Sequence, residues 1–233
     1  MADINQISQE DVLALIALRE VLGGFAHEIA QPLNAIMMAS QVVQLGIRRS
    51  TLLEEEKSFI AQRLDILSSQ VHKAGNILEG IRSFTRKAAS ETGQIDLEQV
   101  FEGVYQLMGQ QISGRGIEVV WESKGSLPST DLDLRTVKCL VVHGLAFARD
   151  SVEALGDRHD KEGISYRRLL EIKLFPANGN SALDIRWNPG SLLENTQLVD
   201  PPSYLGIVAA SSVISSLGGV LETSPGNVMI RFP

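Results

Sequence analysis

Gly23–Ile36, GGFAHEIAQPLNAI, is the stretch around which the chain is organised. It lies inside a long segment whose apolar residues recur at helical spacing, with Leu15, Leu18, Leu22, Ile29, Leu33 and Ile36 forming one stripe. Counted from His27, a different set shares its side: Glu20, Gly23, Gly24, Gln31, Asn34 and Gln41. His27 is therefore expected on a solvated face, with Glu28 beside it and Gln31 one turn on. Pro32 has no backbone N–H, which frees the Glu28 carbonyl and predicts a bend just past the histidine. A neutral imidazole is a competent nucleophile near neutral pH, and an adjacent carboxylate can fix its tautomer and take its proton. His-Glu on a helix also opens the zinc-protease pattern H-E-x-x-H. Here Gln31 occupies the second ligand's place, and that reading fails.

Composition narrows the field. The 233 residues suffice for one large domain or two small ones. With 44% hydrophobic and 21% charged residues the chain reads as an ordinary globular protein. A net charge of −7 and a pI near 5.2 argue against nucleic acid as the partner. Cys139 stands alone, so neither a disulfide framework nor a cysteine metal cluster is expected. The opening MADINQISQEDV is polar and acidic, unlike a secretory signal, and no apolar run reaches the length of a membrane span. A cytoplasmic location is the expectation.

Outward from the opening stretch, Ser8 and Asp11 predict a helix start, and the apolar spacing persists to Ile47, on the order of 57 Å at the rise of an α-helix. Thr51 and Glu54 repeat the capping pattern. A second long helix follows, with Phe59, Ile60, Leu64, Leu67, Val71, Ile77, Leu78, Ile81 and Phe84 on its inner side. Two such helices joined by a turn predict an antiparallel hairpin over residues 1–90. A hairpin cannot cover both of its stripes, so a homodimer forming a four-helix bundle is the expected solution; cover by the second domain of the same chain is the alternative. Lys87–Gly93 reads as the linker. Residues 94–233 alternate short elements: a helix capped by Asp96 and Gln99 to about Ile112, a strand Ile117–Glu122 and a helix Leu132–Leu155. Strands Tyr166–Phe175 and Ala182–Trp187 come next, then a helix Ser203–Leu217 and a closing hairpin around Pro225-Gly226-Asn227. This mixture predicts a two-layer α/β sandwich.

FAHEIAQPLNAI resembles the phosphoacceptor box of bacterial two-component histidine kinases: His-Glu, a short polar spacer, then Pro-Leu. The second part is similar in order and length to that family's ATP-binding domain, through IDLEQVFEGVYQLM, GIEVVWE, LPSTDLDLRTVKCLVVHGLAFARDSVEAL and the closing GG-x-L-E strand pair. The resemblance implies a dimeric helical domain joined to a kinase-like α/β domain. It breaks where nucleotide chemistry belongs. Aligned on FARDSVEAL, Phe147 stands where the family has its magnesium-binding asparagine, on a face shared with His143 and Asp150. Trp187 takes the place of the adenine-reading aspartate in DIRWNPGSL, leaving only Gly190 of that loop. The Gly-rich turn shrinks to Tyr204-Leu205-Gly206, the lid region Ser191–Ser203 is short, and no G-x-x-x-x-G-K-[ST] loop substitutes. An aromatic ring offers no oxygen to Mg²⁺, which demands hard oxygen ligands. Core filling of a vacated pocket accounts for both aromatic residues.

What the resemblance then implies is a protein like the dimeric histidine phosphotransferases built on a defunct kinase core. Phosphoryl groups would pass to or from receiver aspartates through His27, with Glu28 orienting and deprotonating the ring. Gln31 would stand where relatives keep a water-positioning residue for dephosphorylation. Asn34, Met38 and Gln41 continue the His27 face and would bind the partner. No cofactor is expected in the chain itself, since the receiver brings Mg²⁺; the implied partners are response-regulator receiver domains and an upstream hybrid histidine kinase. Two alternatives stand beside this reading: an ATP-dependent autokinase with an unusual site, and a kinase-like adaptor without chemistry.

Overall fold

The computed structural model describes residues 9–47, 54–85, 95–130, 132–189 and 203–233, without the side chains of 23–28 and 76–85 among others. The caps expected at Ser8 and Thr51, the linker Lys87–Gly93 and the lid stretch 191–202 lie outside the described residues, as does Gly190. Two compact units are present: Leu22–Ser83, and the residues up to Val21 together with Phe84–Pro233. One helix, α1 (Gln9–Ile47), contributes to both, passing from one to the other at Val21 and Leu22.

The Leu22–Ser83 unit holds the rest of α1 and α2 (Glu54–Thr85). Pro32 sits inside α1 and is buried. Gly46 of α1 lies against the Ile60 side chain of α2, where a Cβ would come within 2.8 Å of Cδ1. Phe59, Leu64 and Val71, expected on the inner side of α2, are exposed in the single chain, and so are Leu33, Met37 and Leu45 of α1. The apolar stripes exist, but within one chain they are largely open.

The larger unit is a mixed sheet backed by helices. Its elements are α3 (Leu97–Ser113), β1 (Glu118–Ser123), α4 (Leu134–Glu162), β2 (Leu169–Ala177), β3 (Asn180–Arg186), α5 (Tyr204–Ser216), β4 (Val220–Ser224) and β5 (Asn227–Arg231). The strand order is β1-β2-β3-β5-β4. The β1–β2 pair is parallel and the other pairs antiparallel. A parallel pair needs a crossover, and α4 supplies it. Asp96 caps α3, its carboxylate accepting from Glu98 N at 2.9 Å and Gln99 N at 3.2 Å. Asp133 does the same for Thr136 N of α4 at 3.0 Å.

From Thr136 to Asp150, nearly every residue of α4 is buried, because the sheet, α3, α5 and the start of α1 all pack on it. The helix runs past the expected end at Leu155 to Glu162, where Gly163 at φ 69° provides the left-handed cap. Gly156 does not stop it: that glycine makes room for Arg168, whose Nε would lie 2.2 Å from a Cβ there. Strand β2 begins later than expected, at Leu169, and Tyr166 precedes it with its hydroxyl donating to Asn188 O at 2.7 Å. The β2–β3 turn is Asn178-Gly179, both at positive φ, the pairing favoured in two-residue hairpins. Pro225-Gly226 closes β4–β5, with Gly226 at φ 81°.

Candidate functional site

His27 and Glu28 lie in the helical backbone of α1, and their side chains are outside the described ones. Gln31, Asn34, Met38 and Gln41 follow His27 by four, seven, eleven and fourteen residues, which at about 100° per residue keeps all of them within about 40° of its direction. All four are exposed, Met38 at 67%. Below the histidine, α1 thus offers a continuous polar strip with one adaptable thioether.

The residues that break the nucleotide motifs come together in space. Phe147 of α4 and Trp187, just after β3, meet edge to face with ring centroids 6.3 Å apart and an interplanar angle of 63°. They are 9% and 7% exposed. Trp187 is held from behind: its N–H donates to Gly226 O at 2.9 Å, and a Cβ on Gly226 would stand 2.7 Å from Trp187 O. Asp150 is not a free carboxylate on this face. Its Oδ1 accepts from Arg149 Nε at 2.7 Å and Arg115 Nη1 at 2.8 Å. Gly206, in the first turn of α5, is buried against His143.

A polar cluster that the sequence did not disclose surrounds Asp150. Arg149 donates to Asp150, to Gln111 Oε1 of α3 at 3.1 Å and to Glu20 Oε2 of α1 at 3.0 Å. Gln111 in turn donates through Nε2 to Val21 O at 3.1 Å, and Arg135 pairs with Asp11 at 3.2 Å. Leu13, Ala14, Ala17 and Val21 form the buried side of this part of α1. One expectation is corrected here: Glu20 is not on a wet face but in an ion pair with the buried Arg149. Leu15 and Leu22 of the apolar stripe are exposed in the single chain, Leu15 at 60%. This part of α1 meets α4 through the Leu13 carbonyl at His143 and the Glu20 carboxylate at Arg149, with Ala14 and Ala17 buried between them in sequence. A contact between residues 129 positions apart carries no local signal.

His143, on the same α4 face, is fully buried, with Nε2 3.2 Å from Leu13 O and Nδ1 without a partner among the described residues. Burial lowers its pKa, against the raising effects of the Leu13 carbonyl and of Glu20. Burial likewise pushes the Cys139 thiol up to about 12, so it is no nucleophile at neutral pH.

The chain is built of a helical unit bearing His-Glu and a mixed sheet backed by helices, and the proteins it is similar to are two-component sensor kinases. In sequence the chain is similar to such proteins over nearly its whole length. It is 23% identical to the C4-dicarboxylate transport sensor protein DctB of Rhizobium meliloti over 234 residues, covering 95% of this chain and 35% of that protein. It is 24% identical to the two-component sensor PprA of Pseudomonas aeruginosa, covering 94% of this chain and 24% of that one. A 101-residue stretch is 31% identical to the sensor protein kinase PilS of Pseudomonas aeruginosa, 42% of this chain and 18% of PilS. The chain therefore spans about a third or less of these relatives' lengths. Among solved structures it is similar to the Acinetobacter baumannii histidine kinase AdeS, at 18% identity and a TM-score of 0.39, covering 88% of this chain and 96% of that one. The histidine kinase ThkA, solved in complex with the response regulator TrrA, gives 18% identity and a TM-score of 0.40 over 94% and 61% of the two chains. No protein-family model matches the chain. No helix among the described residues is long and apolar enough to cross a membrane.

Proposed function

We propose that the chain is a two-component phosphotransfer protein that carries a phosphoryl group on His27 to or from the aspartate of a response-regulator receiver domain. The observation that supports this reading is the buried Phe147–Trp187 contact: by the family resemblance these two rings stand where a magnesium ligand and an adenine-reading carboxylate would belong. Neither ring offers an oxygen to a hard cation, so the α/β unit does not fit Mg-ATP and no step is routed through it.

The chemistry that remains needs little from this chain. A ring nitrogen of His27 attacks the phosphorus of the receiver's aspartyl phosphate. The N–P bond forms, the P–O bond to the aspartate breaks, and the carboxylate leaves with its electron pair. Glu28 takes the ring proton, and the reverse path returns the phosphoryl group. Positioning and charge neutralisation dominate such transfers, and the receiver's Mg²⁺ supplies the latter. Gln31, one turn on, would direct water in receiver dephosphorylation. A homodimer through the Leu22–Ser83 unit is part of the proposal, supported by the open apolar stripes of α1 and α2 in the single chain. An upstream hybrid histidine kinase would be the phosphoryl source.

The autokinase reading is tested directly. Titration of the protein with Mg-ATP in a calorimeter should give no heat of binding at micromolar concentrations, and labelled ATP should leave His27 unlabelled. Micromolar affinity with label on His27 would restore the autokinase to first place. The docking strip has its own test. Asn34→Glu or Met38→Glu should slow transfer from a phosphorylated receiver by about tenfold, the cost of one poorly paired interface group, without changing helicity. Unchanged rates for both variants would move the docking face elsewhere and favour a kinase-like adaptor only if His27 also proves dispensable.

A further inference from the structure

The start of α1, within the larger unit, meets α4 through two ion pairs and one buried histidine. From the Asp11–Arg135 pair to the Glu20–Arg149 pair, α1 lies along α4, and between them His143 reaches the Leu13 carbonyl at 3.2 Å. An N–H on Nε2 donates there, which leaves Nδ1 as a bare lone pair. That lone pair faces the first turn of α5, where a Cβ on Gly206 would stand 2.6 Å from Nδ1 and 3.4 Å from Ile16 Cγ2 of α1. Among the described residues, α1, α4 and α5 close in the ring and Nδ1 has no hydrogen-bond partner. We propose that Gln9–Val21 is a latch that stays shut on α4 and α5 while His143 is neutral and lifts when that imidazole takes a proton.

The surroundings set the direction. On α1, Glu20 is the charged group whose field reaches the ring, and it favours protonation. It is already engaged by Arg149, which is itself held by Asp150. On α4, the neighbours one turn away are the neutral Cys139 and Phe147. On α5 the facing residue is Gly206. At Gly144, the next residue of α4, the sheet presents Ile185, Val228 and Ile230, none of them charged. A cation formed there would be buried with an unpaired N–H, and burial prevails in lowering the pKa. The latched state therefore binds fewer protons than the open one. Latching is at full strength above the ordinary histidine value of about 6.5 and weakens as pH falls below it, by up to about tenfold in the open-to-shut ratio per pH unit.

The test is amide hydrogen exchange on the full chain at about pH 7.5 and about pH 5.5, each corrected for intrinsic exchange, with latch opening read as local opening of the unit. Protection of the amides of residues 13–21 should fall about tenfold at the lower pH, while those of α3 and β3 keep theirs. Equal protection at both values overturns the proposal, and so does a joint loss across α1, α3 and β3, which would be unfolding of the whole unit. His143→Gln, which keeps a donor but cannot titrate, should remove the pH dependence; the same drop in that variant overturns the proposal. Where His143→Gln does not fold, the ring proton signals of His143 decide in the unmodified chain: titration in step with opening supports the latch, and a ring still neutral once α1 has opened overturns it. None of these readouts uses phosphotransfer, so they stand or fall apart from the role of His27.

Discussion

His27→Ala should reduce the acid-labile label that the chain takes from a phosphorylated receiver to background, while leaving its circular dichroism and its mass in solution unchanged. The size of this effect follows from the histidines available. The chain has four. His143 and His159 are buried, the latter with Nδ1 2.8 Å from Leu155 O, and neither can meet a receiver. His72 on α2 is exposed, with Nδ1 2.9 Å from Ser68 O, but it has no glutamate beside it to take a proton. Glu28→Gln should retain the nucleophile and lose its base, slowing transfer by about a hundredfold to ten-thousandfold. His72→Ala should transfer as the unmodified chain does. Label on the His27→Ala protein, or its loss in His72→Ala, would remove His27 from the mechanism.

The second large effect is expected in stability. Arg149→Ala should cost about 3–5 kcal/mol of the larger unit's unfolding free energy in urea, because it leaves the buried Asp150 and the largely covered Glu20 without the guanidinium that joins them. Arg115 still reaches Asp150 at 2.8 Å, so the residual charge is better compensated there than at Glu20. Exchange protection at the start of α1 should therefore suffer more than protection in β3. Arg167→Ala makes the contrast. Its pair with Glu118 is as short, at 2.6 Å, yet both side chains are exposed, and its loss should cost no more than about 1 kcal/mol. A cost below about 1 kcal/mol for Arg149→Ala would mean that the cluster does not anchor α1. The comparison separates burial from bond length as the source of strength.

Much of this protein is legible in its sequence because local rules determine it. Hydrophobic period, Asp caps and Pro-Gly or Asn-Gly turns specify helix, strand and hairpin within a few residues, and the order of elements in the larger unit follows them. The aromatic residues at 147 and 187 are equally plain as departures from the family pattern. Where local signals compete, only packing arbitrates. The helix expected to end at Leu155 runs on to Gly163, where the chain needs a left-handed residue, and Gly156 within it is a seat for Arg168. The strand order, with β1 and β2 parallel across α4, depends on which apolar faces meet, and no single segment encodes that. The division of α1 is the clearest case. Its sequence shows one long amphipathic helix with Glu20 on the solvated side. In the folded chain its first turns belong to the α/β unit, because Glu20 supplies a second carboxylate to the buried Arg149 of α4 and Leu13, Ala14, Ala17 and Val21 are buried there.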